Sequence, residues 1–543
     1  MHWFFRDISD DPSEKELTQL DQFNNDEVAL AEALVRETVQ NSTDARRSSS
    51  DPVRVHFSIT TSEQPDDRDF LQQVLLGLSP HLAACGFPLP AVNGPIRLLT
   101  IEDFGTTGLQ GSVETKDDGQ FCGFWRRFGR SNKKGSAGGR WGLGKLVFPS
   151  ASQIRTVIGL TRRPEEDCAW LMGQAILRNH AAGGKERDSV GFWCRDTEVN
   201  GLPSSDPQFC GQISRSVKFS RQIEPGLSLV VPFLLEDIEA SQLVAATVKN
   251  YYFPLLTGSL EVKIDDTVIN ADTFEAVWKT LASGAVSGSL LNFVRSVQGA
   301  RKRTPEFMLP ADWQSSKLTG EMLGTEATNS LRGRLKAGQV VSVRAPITVV
   351  ATEGRAAETH VDIYFESALP GVRPQALVVR GAITVPGEAK RLSFPDCHAA
   401  LLAIEDEISQ LLGDAENPSH TMECTGREAP PRLAEGELGA QSRAGRCQRN
   451  VRATFRSGGA GRSVCVGRVL LCSEIGAANV GKKAGHGRPV RDSGNSAEGL
   501  PHPETVGRIR FAPRSSSSRR PASDAGSCSV RVRRPFRQSI QTV

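Results

Sequence analysis

At Met422 the chain changes character, and whatever folds must lie before that point. From Met422 to Val543 there are 20 Arg and 2 Lys against 9 acidic residues, a net +13, with dense Gly, Ser and Pro and no sustained helical or strand period. Such a segment cannot bury enough apolar surface to offset its chain entropy. Residues 414–543 are therefore expected to form a disordered Arg-rich tail, and a chain ending near Asp414 is expected to fold as well without it. Two readings of the tail stand: a basic arm for nucleic acid, or sequence from a shifted reading frame in a GC-rich gene. Its five cysteines, strewn without pattern, favour the second. The 543-residue chain carries +3 in all, so the 421 residues before the break carry −10. A body of that charge is no magnet for DNA as a whole. A hold on DNA would rest on clusters such as Arg126, Arg127 and Arg130, on Arg301, Lys302 and Arg303, or on the tail.

The acidic body is long enough for two or three domains. It has no run of eighteen apolar residues, so no membrane span is expected. Its first residues, Met1 to Asp7, offer no cationic leader before an apolar stretch, which leads to an expected cytoplasmic location. The cysteines include no Cys-x-x-Cys pair and the nine histidines no metal-spaced cluster, which argues against a disulfide or zinc framework.

Periodicity divides the body at about residue 235. A helix is expected from Asp26 to Arg47, a strand through Val53, Val55, Phe57 and Ile59, a helix from Asp69 to Ala84, and a buried strand from Ile96 to Ile101. Strands at Ile154–Leu160, Ala169–Leu177 and Leu227–Phe233 would complete an α/β domain over 1–235. A second, α+β domain over 236–413 would begin with a helix at Leu243–Tyr252 and a strand at Leu260–Ile264. A helix at Phe274–Leu281 would follow, then strands at Val340–Val350, Val361–Phe365 and Ala376–Val385. A helix at Ala399–Leu412 would close it.

Three stretches carry chemistry. In the first helix Glu37, Asn41 and Asp44 are spaced i, i+4 and i+7 and share one face, continuing the apolar stripe of Leu30 and Leu34. Alone, such a face would equally suit solvent. The strand after Ile96 ends in Glu102-Asp103-Phe104-Gly105-Thr106-Thr107-Gly108, a carboxylate at a strand end beside residues that let the backbone turn and approach a ligand. Gln110 to Gly138, rich in Gly, Lys and Arg, reads as a mobile lid. It leads into Gly138-Gly139-Arg140-Trp141-Gly142-Leu143-Gly144-Lys145, which can present backbone amides to phosphate oxygens. Gly139 to Lys145 also imitates a P-loop. Leu146 stands where that motif needs a Ser or Thr for magnesium, and no buried strand precedes it.

The order of these motifs resembles the GHKL superfamily of ATPases: gyrase B, the heat-shock chaperones of that fold, histidine kinases and MutL. The resemblance covers about residues 20–235. It implies a Bergerat-type two-layer α/β sandwich followed by a transducer-like α+β domain, with ATP and Mg²⁺ as cofactors. By this resemblance Glu37 is the general base for the attacking water, Asn41 the magnesium ligand and Asp44 a supporting acid. Asp103 resembles the aspartate that accepts the adenine amino group, with Gly105 giving the base close passage. Gly108 is less secure, because the motif here carries one extra residue. Gly139, Gly142 and Gly144 resemble the glycines at the lid's end, and Lys133, Lys134 and Lys145 would neutralise phosphate charge. Where the family often has a Thr after a late-strand Gly, this chain has Gly226-Leu227-Ser228. The segment Phe128 to Lys134 resembles the MORC branch, close to MutL. In relatives the transducer sends a lysine to the γ-phosphate, and Lys336 is the candidate here.

The resemblance thus implies an ATP-hydrolysing conformational switch that forms a homodimer on nucleotide binding. It would act in a DNA transaction such as repair or restriction-type defence, alongside other proteins of that system. The alternatives are a chaperone-like ATPase acting on protein clients and a scaffold that binds nucleotide without cleaving it.

Overall fold

Val53, Val55 and Phe57, which alternate with polar residues in the sequence, point into one core, and the strand they build lies near one end of a long sheet. The computed structural model describes residues 1–9, 29–48, 50–62, 65–91, 94–127, 144–195, 201–311, 324–350, 356–385 and 396–415. The tail from residue 416 onward lies outside them, as do residues 128–143. In chain order the first part holds β1 (His2–Asp7), α1 (Leu30–Asp44), β2 (Val53–Ser62), α2 (Pro65–Ala84), β3 (Ile96–Phe104), α3 (Gln120–Trp125) and α4 (Val147–Ser150). Then come β4 (Thr156–Arg162), β5 (Ala169–Ile176), β6 (His180–Ala182), β7 (Lys185–Cys194), α5 (Pro207–Ser216), β8 (Gly226–Pro232), α6 (Ala240–Leu256), β9 (Leu260–Ile264) and β10 (Thr267–Ile269). The second part holds α7 (Phe274–Leu281), α8 (Gly288–Arg301), β11 (Phe307–Met308), α9 (Thr325–Lys336), β12 (Val341–Val350), β13 (Ala356–Ser367), β14 (Ala376–Arg380), β15 (Ile383–Thr384), β16 (Cys397–Ala403) and α10 (Asp406–Ala415). The fold is mixed α/β.

The first ten strands form one sheet in the order β1-β7-β5-β4-β8-β3-β2-β9-β10, with β6 beside β7. Strand periodicity gives this sheet two greasy faces. Leu99 and Ile101 of β3 meet Leu34, Val35 and Val39 of α1 in one core, while Ile96 and Leu98 meet Leu71, Val74 and Leu78 of α2 in another. β9 pairs in parallel with β2, from Val53 opposite Leu260 to Phe57 opposite Ile264, so this sheet runs past residue 235 and takes in the strand expected to open the second domain. The last six strands form a separate sheet, β11-β12-β13-β16-β14-β15. Leu331 and Leu335 of α9 and Ile408 and Leu412 of α10 cover one of its faces. Its other face, through Tyr364, Leu377, Val379 and Leu402, joins the core that holds α1 and α6.

α6 is the joint between the two sheets. Pro254 lacks an N–H, so the carbonyl of Asn250 four residues earlier loses its helical partner, and Tyr251 departs from helical dihedrals (φ −126°, ψ 18°). Thr384 on β15 donates its hydroxyl to that carbonyl at 2.7 Å. On the other side of the kink Lys249 and Asn250 donate to Glu32 of α1 at 2.8 and 3.1 Å, and the Tyr251 hydroxyl donates to the Arg36 carbonyl at 2.8 Å.

Two expectations need correction. Gln110 to Arg127, read as the first part of a lid, is packed: Phe121 and Trp125 of α3 are 0% and 1% exposed, and Asp117 closes the preceding loop by accepting from the amides of Ser112 and Gly119. The remainder of that reading, 128–138, lies outside the described residues. Ala399–Leu412 is not one helix. Ala399 to Ala403 belongs to β16, between β13 and β14, and the helix starts only at Asp406. An unbroken apolar run buried on both faces of a sheet has no period to set it apart from a helix.

A histidine pair joins α2 to β6, with His180 buried and His81 half-buried. His180 Nδ1 is 2.8 Å from the Arg178 carbonyl, which fixes that nitrogen as the donor, so its Nε2 accepts from His81 Nδ1 at 2.8 Å. Phe5 stacks on His81 at 4.0 Å. Burial, His180 and Arg187 together push His81 down to about 4. Its folded pKa is below the unfolded value, so the stabilisation is full above about pH 6.5 and is lost as pH falls toward 4. Discounting for partial exposure, denaturant titrations at pH 7.5 and 5.0 should differ by about 1–2 kcal/mol more in this protein than in His81→Gln. Equal differences would remove the pair as the cause.

Candidate functional site

The C-terminal end of α1 and the end of β3 are laced together by main-chain bonds. Arg47 N–H donates to the Gly105 carbonyl and Thr107 N–H to the Ala45 carbonyl, both at 2.9 Å, and Arg46 bridges Thr106. This lacing brings the polar face of α1 beside Asp103. On that face Asn41 Nδ2 donates to Glu37 Oε1 at 2.7 Å. An amide whose nitrogen faces the carboxylate turns its oxygen the other way, the orientation a hard cation needs. Among the described residues no three His, Cys, Asp or Glu side chains gather as a metal set, so a cation here would take most of its oxygens from a ligand and from water. Asp44 follows one turn on, half-buried.

Asp103 is 8% exposed, and its two carboxylate oxygens have different surroundings. Oδ1 accepts from Thr106 Oγ1 at 2.6 Å and from Leu227 N–H at 2.7 Å, with the Arg221 guanidinium 3.7 Å away. Oδ2 has a 3.3 Å contact from Ser42 on α1. Gly105 takes φ +74°, and a Cβ there would sit 2.9 Å from the Pro52 carbonyl. At Gly108, φ +66°, an added Cβ would clash with the Arg162 carbonyl and lie 2.8 Å from Thr161 Oγ1, so the extra residue in the motif is absorbed with this glycine tight against β4.

Behind Asp103 lies a buried polar network that the motif reading did not include. Glu102, 4% exposed, accepts from the Ser220 amide and hydroxyl at 2.7 and 2.6 Å, from the Arg221 amide at 3.1 Å and from Ser228 Oγ at 2.8 Å. Ser228, two residues after Gly226, thus turns to Glu102. Leu227 serves Asp103 through its main chain instead. Gly226 is pressed so close that a Cβ would lie 2.5 Å from the Asp103 carbonyl and 2.7 Å from Oδ1.

Gly144 and Lys145 begin the short helical turn before α4. A Cβ built on Gly144 would fall on the Glu37 carboxylate. Lys145 is buried, and its ammonium donates to the carbonyls of Gly123 at 2.9 Å, Phe124 at 2.7 Å and Arg127, at the end of α3. Burial pushes its pKa down to about 7, while three carbonyl acceptors favour the charged form, the only form with three N–H donors. Lys133, Lys134, Gly139 and Gly142 lie outside the described residues. Lys336 is exposed at the end of α9. On the second sheet Arg380 is 3% exposed at the end of β14, which pairs with β15, the strand whose Thr384 bonds α6.

No known family model matches the sequence, and no curated protein matches it. Among solved structures the chain is similar to the ATPase region of Saccharomyces cerevisiae topoisomerase II bound to ICRF-187 (dexrazoxane), with 8% identity and a TM-score of 0.31 over 70% of this chain and 76% of that one. A second structure of the same yeast region gives 8% and 0.31 over 69% and 75%. The ATPase and transducer domains of DNA topoisomerase II from Balamuthia mandrillaris give 9% and 0.29 over 70% and 75%. The functional reading therefore rests on the side chains described above. Among the described residues no helix is long and apolar enough to cross a membrane.

Proposed function

We propose that this chain binds ATP with Mg²⁺ between α1 and the end of β3 and hydrolyses it as a conformational switch. The observation that carries the reading is the single Ser42–Asp103 contact, which holds a buried carboxylate acceptor beside a helix face bearing Glu37 and Asn41. Asp103 Oδ2 accepts the adenine amino group. Asn41 would hold Mg²⁺, which when bound neutralises phosphate charge. Glu37 takes the proton of the water that attacks the γ-phosphorus, as the bond to ADP breaks. Gly105 and Gly108 let the backbone pass the base, and Asp44 supports the Glu37–Asn41 face. Gly144 serves as a glycine at the lid's end, and Lys145 would have to leave its three carbonyls to reach the phosphates. Arg380 replaces Lys336 as the second sheet's candidate for contact with the site.

On this reading nucleotide binding drives homodimerisation, and the switch acts in a DNA transaction of the MORC and MutL kind in the cytoplasm. One observation favours the non-hydrolysing scaffold: Glu37 is engaged by Asn41 and covered by Gly144. Phosphate release measured with and without duplex DNA decides. Stimulation by DNA supports the DNA role over a chaperone, and ATP binding with no release at all supports the scaffold. Gly144→Ala is expected to push Glu37 aside and slow hydrolysis at least about tenfold, the lower range for a displaced general base, with ATP affinity little changed. Unaltered turnover would place Gly144 away from the working geometry.

A further inference from the structure

We infer that Arg221 is a positioning residue that sets the selectivity of this site for adenine over guanine, acting through Asp103. The inference rests on the reading of Asp103 as the nucleobase acceptor. The Arg221 side chain is 1% exposed, and all five of its N–H groups have partners. Nε donates to Ser228 Oγ at 2.8 Å, Nη1 to the carbonyls of Glu224 and Pro225 at 3.1 and 2.9 Å, and Nη2 to the carbonyl of Leu227 at 2.9 Å and to that of Asp103. The guanidinium lies over the Phe104 ring, 4.6 Å from its centre. One planar fork thus closes residues 221–227 into a ring and ties that ring to the last residues of β3.

The product of this ring is a direction. It holds the Leu227 N–H on Asp103 Oδ1, where the Thr106 hydroxyl also donates, and the guanidinium brings its charge to 3.7 Å from that oxygen. The plane of the carboxylate is therefore fixed, and Oδ2 faces the α1 side. Adenine presents an amino donor at the position where guanine presents a carbonyl acceptor. A carboxylate oxygen accepts only, so it rewards the first and leaves the second unpaired. That discrimination depends on orientation, because a carboxylate free to turn would move aside and admit a water to serve the guanine carbonyl. Lysine cannot stand in for Arg221: its three donors on a flexible stem do not form the fork.

The test uses the full chain and titrates Mg·ATP and Mg·GTP separately into the unchanged protein, Arg221→Lys and Ser228→Ala, with circular dichroism as the check on folding. In Arg221→Lys the ATP affinity should fall about tenfold while GTP affinity holds, so the ATP/GTP ratio collapses by that factor; Ser228→Ala, which removes the acceptor of Nε, should shift the ratio the same way by a smaller factor. A purely structural Arg221 would lower melting temperature and leave the ratio unchanged, and that result overturns the inference. Should Arg221→Lys fail to fold, the ratio in Ser228→Ala decides alone, and an unchanged ratio there overturns it too. A wild-type protein that binds neither nucleotide, or both equally, would instead overturn the assignment of Asp103 itself.

Discussion

Glu37→Gln is expected to bind Mg·ATP as tightly as the unchanged protein and to hydrolyse it roughly 10²–10⁴-fold more slowly, the loss that follows removal of a general base. The substitution is nearly isosteric. The glutamine carbonyl still accepts from Asn41 Nδ2, which now holds Glu37 at 2.7 Å, so the helix face keeps its geometry. Only the capacity to take a proton from water disappears. Single-turnover phosphate release beside a nucleotide titration separates the two quantities. Hydrolysis at the original rate would end the assignment of Glu37 as base, and a parallel loss of binding would make its role structural.

Asp103→Asn is expected to weaken ATP binding by roughly 10²-fold or more without unfolding the chain. The reason lies in the unequal surroundings of the two oxygens. Thr106 and Leu227 both donate to Oδ1 and the Arg221 charge lies beside it, so the asparagine must place its carbonyl there. Its NH₂ then takes the Oδ2 position and meets the adenine amino group donor to donor. A buried donor without an acceptor costs about 1–3 kcal/mol, and here there is one on each side. Calorimetric titration with ATP gives the number directly. An affinity equal to that of the unchanged protein would move the nucleobase elsewhere.

What the sequence makes legible is local. Glu37, Asn41 and Asp44 sit within two turns of one helix, and a buried strand ending in Asp-x-Gly announces Asp103 without any partner. Arg221 is invisible to the same method. Its partners on β3 stand about 120 residues away, and four of its five acceptors are main-chain carbonyls, which every residue type carries. Composition also misled in one place. The Gly, Lys and Arg around α3 read as a loop, although Phe121, Phe124 and Trp125 were present as the sign of a packed turn. At Ala399–Ala403 the failure was of period, since strand and helix look alike when every residue is apolar and buried. The second sheet's candidate cation, Arg380, follows from topology rather than from any motif.

The pairing of β1 and β2 has a cost in time. β1 is complete at Asp7, but its partner β7 ends only at Cys194, and the free side of β2 waits for β9 at Leu260–Ile264. A ribosome adding roughly 5–20 residues each second needs about 10–40 s to make the intervening chain. Throughout that interval Trp3, Phe4 and Phe5 sit on a strand without its partner, and β2, once β3 exists, is paired on that side alone. Parallel, long-range pairing is also the slowest kind to form once both strands exist. The wait of those two segments for their last partners thus ends only when residue 264 has emerged.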